Sequence, residues 1–224
     1  MSSKIGLNLT RSYSFNFDIS KRNKNSIKFI IIHYTGMKKQ TEAIKRLSDS
    51  KSKVSSHYFI KNKGEILNLV PDLHSAWHAG KSNWKNYKSL NKYSIGIEIN
   101  NPGHDYGYKK FTTKQILSLI KLLRYLKKKY KIKKKNILGH SDISPDRKSD
   151  PGEKFPWSKL AQKNLCIWYN LNEKKLKNYR KKRLKAEEKK LFFKNLHIFG
   201  YPKIIKNTSK KNMTQLVVAF QRRF

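Results

Sequence analysis

The sequence predicts an α/β domain, and three observations carry that prediction. Short apolar runs at residues 28–32, 54–60, 65–70, 94–99 and 136–138 have the length and β-branched content of strands, and helical periodicity fills much of the chain between them. One intervening stretch, beginning at Thr112, carries the start signal of a long amphipathic helix. The chain of 224 residues is long enough to bury a full core, so one domain with a small appendage is expected. Cys166 is the only cysteine, which excludes an internal disulfide and a thiolate metal cluster and leaves it as a small buried hydrophobe.

Taken in order, residues 1–25 are rich in Ser, Asn and Lys, with Tyr13, Phe15 and Phe17 as their apolar cluster, and are expected to be loosely ordered. Phe29 to Ile32 is the most continuous apolar run and reads as a buried strand that emerges at His33. Residues 40–47 place Ala43, Ile44 and Leu47 on one side of a short helix, and residues 48–52 form a polar loop. The runs 54–60 and 65–70 flank Asn62-Lys63-Gly64 and read as a hairpin. From Ser94 to Ile99 the pattern alternates, so Ile95, Ile97 and Ile99 share one face of a strand while Gly96 and Glu98 share the other.

Thr112 and Gln115 make a capping box, after which Ile116, Leu119, Ile120, Leu123 and Leu126 recur at helical spacing toward a lysine-rich last turn that suits the negative end of the helix dipole. Ile137 and Leu138 form a short strand, and Pro145, Pro151 and Gly152 keep the following loop from becoming helix. A further helix is expected over 158–169, and residues 171–190 form a charged, helix-compatible stretch. There is no internal repeat.

Lys and Arg total 52 against 14 Asp and Glu, a net charge of +38. Such a field attracts polyanions but says little about fold. Lysine dominates the excess and no nucleic-acid-binding motif accompanies it, so non-specific attraction to an anionic wall or membrane surface is expected rather than a nucleic-acid partner. Residues 1–27 lack the apolar core, about 7–15 residues long, of a secretory signal, and no transmembrane run follows. A cytoplasmic location is expected, with the cell envelope reached only by a route that needs no signal peptide.

The chemistry concentrates in residues 139–151, Gly-His-Ser-Asp-Ile-Ser-Pro-Asp-Arg-Lys-Ser-Asp-Pro. This loop offers His140 as a metal ligand, Lys148 as a cation and Asp150 as a carboxylate. One histidine and one carboxylate do not complete a zinc site, and His33, at the end of its buried strand, is the best third ligand. Asp142 and Asp146 read as turn caps.

Five motifs occur in a characteristic order: Ile30-Ile-Ile-His-Tyr-Thr35, Ser55-Ser-His-Tyr-Phe-Ile60, Ala76-Trp-His-Ala-Gly80, Ser94-Ile-Gly-Ile-Glu-Ile99 and Gly139 through Gly152. Together they resemble the zinc-dependent N-acetylmuramoyl-L-alanine amidases of the type-2 amidase family, related to the peptidoglycan recognition proteins, and most nearly the anhydro-muropeptide amidase branch. The resemblance implies a mixed central β-sheet flanked by helices. It implies one Zn2+ per chain held by His33, His140 and Asp150, with Glu98 and Lys148 as catalytic residues. It also implies hydrolysis of the amide between N-acetylmuramic acid and L-alanine, in peptidoglycan or in anhydro-muropeptides.

Where some relatives carry a catalytic tyrosine before the histidine of the second motif, this chain has Ser56, so that part passes to Glu98. His57 and His78 are expected as scaffold or cleft-wall residues, with Trp77 and Trp84 as sugar-stacking faces of the substrate cleft. On this reading residues 1–26 are a flexible basic arm, 27–170 the zinc amidase catalytic domain, 171–190 a charged linker, and 191–224 a short helical segment resembling part of a peptidoglycan-binding domain. The chain is expected to be monomeric. The alternative is a non-catalytic muropeptide-binding protein, from which the joint presence of His33, His140 and Asp150 separates an enzyme.

Overall fold

The computed structural model describes residues 9–205 and 208–224. Its strands are β1 (Leu9–Arg11), β2 (Phe17–Asp18), β3 (Phe29–Tyr34), β4 (Tyr58–Ile60), β5 (Ile66–Asn68), β6 (Ser75–Ala76), β7 (Asn83–Trp84), β8 (Tyr87–Lys88), β9 (Ser94–Ile99) and β10 (Ile137–Gly139). The helices are α1 (Gln40–Ser48), α2 (Thr113–Tyr130), α3 (His140–Ile143), α4 (Trp157–Gln162), α5 (Glu173–Lys181), α6 (Ala186–Phe199) and α7 (Lys210–Arg223). The main sheet has the order β1-β5-β4-β9-β3-β10. It is mixed, because β4 and β5 pair antiparallel as a hairpin while β4, β9, β3 and β10 run parallel.

Side-chain alternation divides this sheet into two apolar faces. Ile30, Ile32, Ile95, Ile97 and Ile99 pack with Ile116, Leu119, Leu122, Leu123 and Leu126 of α2. Thr112 and Gln115 close the capping box as expected, with Thr112 Oγ1 accepting the Gln115 N–H at 3.1 Å and Gln115 Oε1 accepting the Thr112 N–H at 2.9 Å. On the other face Phe29 and Ile31 pack with Trp84, Leu90 and Leu138, and with Leu196, Tyr201, Leu216 and Ala219 from the C-terminal helices. Each buried Leu-sized side chain contributes about 1.5–3 kcal/mol. The tail is therefore part of the layer that closes this face of the sheet.

Several boundaries differ from the sequence reading. Residues 1–8 of the expected flexible arm lie outside the described residues, but from Leu9 onward the arm is built into the fold. β1 pairs parallel with β5, Ser14 Oγ donates to Leu47 O at 2.6 Å, and Asn16 Nδ2 donates to Asp49 O and Val54 O, both at 2.8 Å. The polar residues that suggest disorder are here the groups that satisfy a neighbouring loop's backbone. The expected linker at 171–190 contains α5 and the start of α6, with Leu176 buried. The helix expected over 158–169 stops at Gln162, because Asn164 takes a left-handed φ of 56° and the chain turns back, Leu165 N–H donating to Leu160 O at 3.0 Å. Among the described residues no helix is long and apolar enough to cross a membrane.

Candidate metal centre and catalytic cavity

Parallel register brings the chemistry to the C-terminal ends of three adjacent strands. His33 of β3 and Glu98 of β9 are Cα partners, so their side chains leave the same face of the sheet. Gly139 of β10 pairs with Ile32, so His140 follows level with His33 at the start of α3. The loop after α3 returns Asp150 to the same place, where its carbonyl accepts the Ser141 N–H at 2.9 Å. His33 Nδ1, His140 Nδ1 and Asp150 Oδ2 then form a triangle with sides of 3.0, 3.0 and 3.1 Å, all three residues being buried. Three lone-pair atoms this close cannot all be served by hydrogen bonds to one another, whereas a single cation serves all three. A tetrahedral ion with bonds of about 2.0–2.2 Å spaces its ligand atoms about 3.3–3.6 Å apart, a few tenths of an ångström wider than this triangle, so a small outward shift of the three side chains admits zinc.

The far nitrogens of the two imidazoles are used as well, and they settle the tautomers. The Ser94 hydroxyl donates to Leu90 O at 2.6 Å, so the contact of 3.1 Å between Ser94 Oγ and His78 is donated by His78 Nε2–H. His78 Nδ1 is thereby left as an acceptor, for His33 Nε2–H at 3.0 Å, and His33 Nδ1 keeps its lone pair for a metal. His140 Nε2–H donates to Ala79 O at 3.2 Å, which frees its Nδ1 in the same way. The His78 ring lies against the sheet over Gly96, where a Cβ would stand 2.4 Å from the ring. That glycine, on the same strand face as Glu98, is the sequence signal that could have marked the spot. His78→Phe, which keeps the ring and removes both nitrogens, is expected to weaken zinc affinity about 10–100-fold. Chelator competition measures this, and unchanged affinity would mean that the chain from Leu90 to His33 does not orient the ligand.

Electrostatics favour metal-ready protonation states. Burial, reinforced by the charge of His140, lowers the His33 imidazole to about 4 against the opposing bond to Asp150. Burial alone would raise Asp150, but His140 and His33, when their Nδ1 atoms carry protons in place of a metal, attract and hydrogen-bond its carboxylate and hold it well below the usual carboxylate range. Glu98 goes the other way, pushed up to about 8 by burial and then by the negative charge of Asp150, with Lys148 in partial opposition. Its Oε2 is buried without a hydrogen-bond partner.

All of these groups line one cavity of about 440 Å³, together with Lys148 and Trp77. Lys148 and Asp150, two residues apart in the loop, both line this cavity. Arg147, absent from that reading, braces the loop by donating to Ala79 O at 2.6 Å and to Ser144 Oγ at 3.0 Å.

One expected cleft residue, Trp84, is elsewhere, and His57 takes the scaffold place rather than the cleft wall. Trp84 is buried beneath the C-terminal segment, its ring 5.0 Å from that of Tyr201, so it offers no sugar-stacking face. His57 is fully buried below the sheet end, where Nδ1 accepts the Gly96 N–H at 2.9 Å, and burial followed by the nearby Arg22 lowers it to about 3. His78 reaches the cavity wall with both nitrogens already engaged. Ser56 is buried, and the Tyr58 hydroxyl donates to Asp72 Oδ1 at 2.6 Å, so neither occupies the place of a catalytic tyrosine.

The chain is similar to several known proteins. A family model described as N-acetylmuramoyl-L-alanine amidase matches residues 23–153. The N-acetylmuramoyl-L-alanine amidase AmiD of Escherichia coli is 39% identical over 154 residues, which cover 63% of this chain and 55% of AmiD. The 1,6-anhydro-N-acetylmuramyl-L-alanine amidase AmpD of Haemophilus influenzae is 41% identical over 108 residues, covering 48% of this chain and 56% of AmpD. The chain thus spans about half the length of the curated relatives it matches. Among solved structures, E. coli AmiD in complex with the substrate anhydro-N-acetylmuramic acid-L-Ala-D-gamma-Glu-L-Lys aligns with a TM-score of 0.76 at 31% identity, covering 92% of this chain and 83% of that one. AmpDh3 of Pseudomonas aeruginosa in complex with anhydromuramic pentapeptide aligns with a TM-score of 0.78 at 28% identity, covering 92% and 86%.

Proposed function

The chain belongs to the N-acetylmuramoyl-L-alanine amidase family, and from that premise we propose that it is a zinc-dependent hydrolase cleaving the amide between N-acetylmuramic acid and L-alanine in cell-wall turnover or recycling. The observation that carries this reading is the convergence of His33 Nδ1, His140 Nδ1 and Asp150 Oδ2 within 3.0–3.1 Å of one another, in a cavity that also holds Glu98 and Lys148. Zinc held by those atoms would supply Lewis-acid chemistry, polarising the scissile carbonyl and lowering the pKa of water. The chain's own residues supply the rest. The two histidines present their Nδ1 atoms in orientations set by His78 and Ala79 O. Glu98 takes the proton of the attacking water and hands it to the departing alanine nitrogen. Lys148 puts an ammonium on the wall where oxyanion charge develops. Trp77, its indole N–H held by Asp18 Oδ1 at 2.8 Å, offers a ring for the sugar.

Likeness to AmiD and AmpD supports anhydro-muropeptides as the substrate class. A purely binding role would leave the buried, unpartnered Oε2 of Glu98 as a cost with no return. The test is mass spectrometry of products from soluble anhydro-muropeptide and from intact peptidoglycan. Release of the free stem peptide beginning with L-alanine is expected from the soluble substrate, abolished by chelator and restored by zinc. Failure to cleave either substrate with zinc bound would instead establish the non-catalytic, muropeptide-binding reading.

A further inference from the structure

Asp142 lies two residues beyond His140 and is 1% exposed, and its carboxylate is held by groups from two distant parts of the chain. Oδ2 accepts the Gly139 N–H at 2.8 Å and also Arg223 Nη1, while Oδ1 accepts the Tyr201 hydroxyl at 2.5 Å. A buried carboxylate persists only when paired and hydrogen-bonded in this way, so each donor matters. Tyr201 stands between α6 and α7, and Arg223 is the last residue of α7.

Arg223 reaches further. Its Nη2 donates to Ile137 O at 3.1 Å, and its guanidinium lies over the Trp157 ring at 4.2 Å from the centroid. One side chain from the end of the tail thus touches the strand before the metal loop, the turn that carries His140, and the helix after the loop. Within the loop, the bond from Ser141 N–H to Asp150 O couples the backbones next to both ligands. Asp142 is thus linked through short backbone segments to both His140 and Asp150.

The tail is seated closely enough to exert that grip. Gly200 joins α6 to Tyr201 at φ 148°, and a Cβ there would stand 2.3 Å from the Trp84 ring. Leu196, Leu216 and Ala219 fill the same core as Leu138 and Ile143, on either side of the His140 turn. Asp142, Tyr201 and Arg223 do not line the catalytic cavity, so they act on it through the loop.

We propose that the C-terminal segment is a clamp on the metal-binding turn, in which Asp142, Tyr201 and Arg223 are positioning residues that hold His140 Nδ1 and Asp150 Oδ2 at ligand spacing. This rests on the metal-centre reading. It assigns the segment to the catalytic unit, where sequence resemblance points to wall binding.

The test uses the full chain carrying Tyr201→Phe, which removes one hydroxyl with little change in volume, and Asp142→Asn, which removes the charge that Arg223 pairs with. Zinc affinity by chelator competition is expected to fall about 10-fold or more in each, by analogy with outer partners of metal ligands. The visible absorption of the cobalt-substituted variants should change in shape, reporting altered ligand placement, while circular dichroism keeps its wild-type form. Muropeptide cleavage at saturating zinc should lose kcat with little change in KM. Arg223→Lys should recover less than full affinity, because an ammonium cannot bridge Asp142 and Ile137 O as the planar fork does. Zinc affinity and cobalt spectra identical to wild type in both Tyr201→Phe and Asp142→Asn, even with a lowered Tm, would overturn the clamp and leave the metal reading intact. A wild-type protein that binds neither zinc nor cobalt would overturn the metal reading, and the clamp with it.

Discussion

Asp150→Ala is expected to leave the purified protein with almost no zinc, against about one ion per wild-type chain, and to abolish amide cleavage. The reason is geometric and electrostatic together. Among the described residues, the one group of side chains close enough to share an ion is His33, His140 and Asp150, and Asp150 is its only carboxylate. Without it, two neutral imidazoles would have to hold a divalent ion in a buried site with no compensating negative charge, which the low dielectric of the site opposes.

The metal-free protein should report the same residue independently. The histidines hold Asp150 well below the ordinary carboxylate range, so its ionised form contributes stability that is present above the unfolded value, about 3.9, and is lost as pH falls through the lower folded one. The stability deficit of the metal-free variant should accordingly be largest near neutral pH and fade in acid. Metal analysis by plasma mass spectrometry decides the matter, because full zinc occupancy in Asp150→Ala would remove that residue from the ligand set.

Glu98→Gln is expected to retain zinc and substrate while single-turnover cleavage slows about 10²–10⁴-fold. Glutamine keeps the shape and hydrogen-bonding capacity of the side chain but cannot carry the proton between water and the leaving nitrogen. The buried, unpartnered Oε2 and the register with His33 are what put Glu98 in that role. A second consequence follows from its raised pKa. In the metal-free protein the folded state binds this proton up to about pH 8, whereas the unfolded chain releases it near the ordinary value of 4.5, so stability falls as pH rises between the two.

Glu98→Gln lacks that slope, and its metal-free form should exceed wild type at pH 8 by on the order of a few kcal/mol, with the gap closing toward pH 5. Denaturant titrations at the two pH values measure it. Near-normal single-turnover rates at matched zinc occupancy would mean that the general base lies elsewhere.

How much of this was legible in the chain depends on whether the relevant signal is local. The unbroken apolar run of β3 ends at His33 and the apolar stub of β10 ends at Gly139, so both histidines could be placed at strand ends. Alternation along β9 put Glu98 on the face away from Ile95, Ile97 and Ile99, and the structure agrees. Thr112 and Gln115 announced α2 because a capping box is a contact across three residues. These features rest on periodicity and short-range hydrogen bonding, which are written along the chain itself.

What lay beyond reach was which segment covers which face. Trp84 looks like an exposed ring until α6 and α7 close over it, and the polar residues Ser14 and Asn16 look disordered until they meet the loop after α1. His78 gains its place only because Gly96, 18 residues later in the chain, leaves room beside it. Asp142 was read as a turn cap, and it does accept the Gly139 N–H, but its bonds to Tyr201 and Arg223 span 59 and 81 residues. The sequence by itself named His33, His140 and Asp150 as candidate donors and placed the strand ends that present the histidines, since residue type, motif order and local period suffice for both. Only the tertiary structure decided the tautomers, the cavity wall and the grip of the tail, because each depends on long-range packing that brings together groups no local pattern relates.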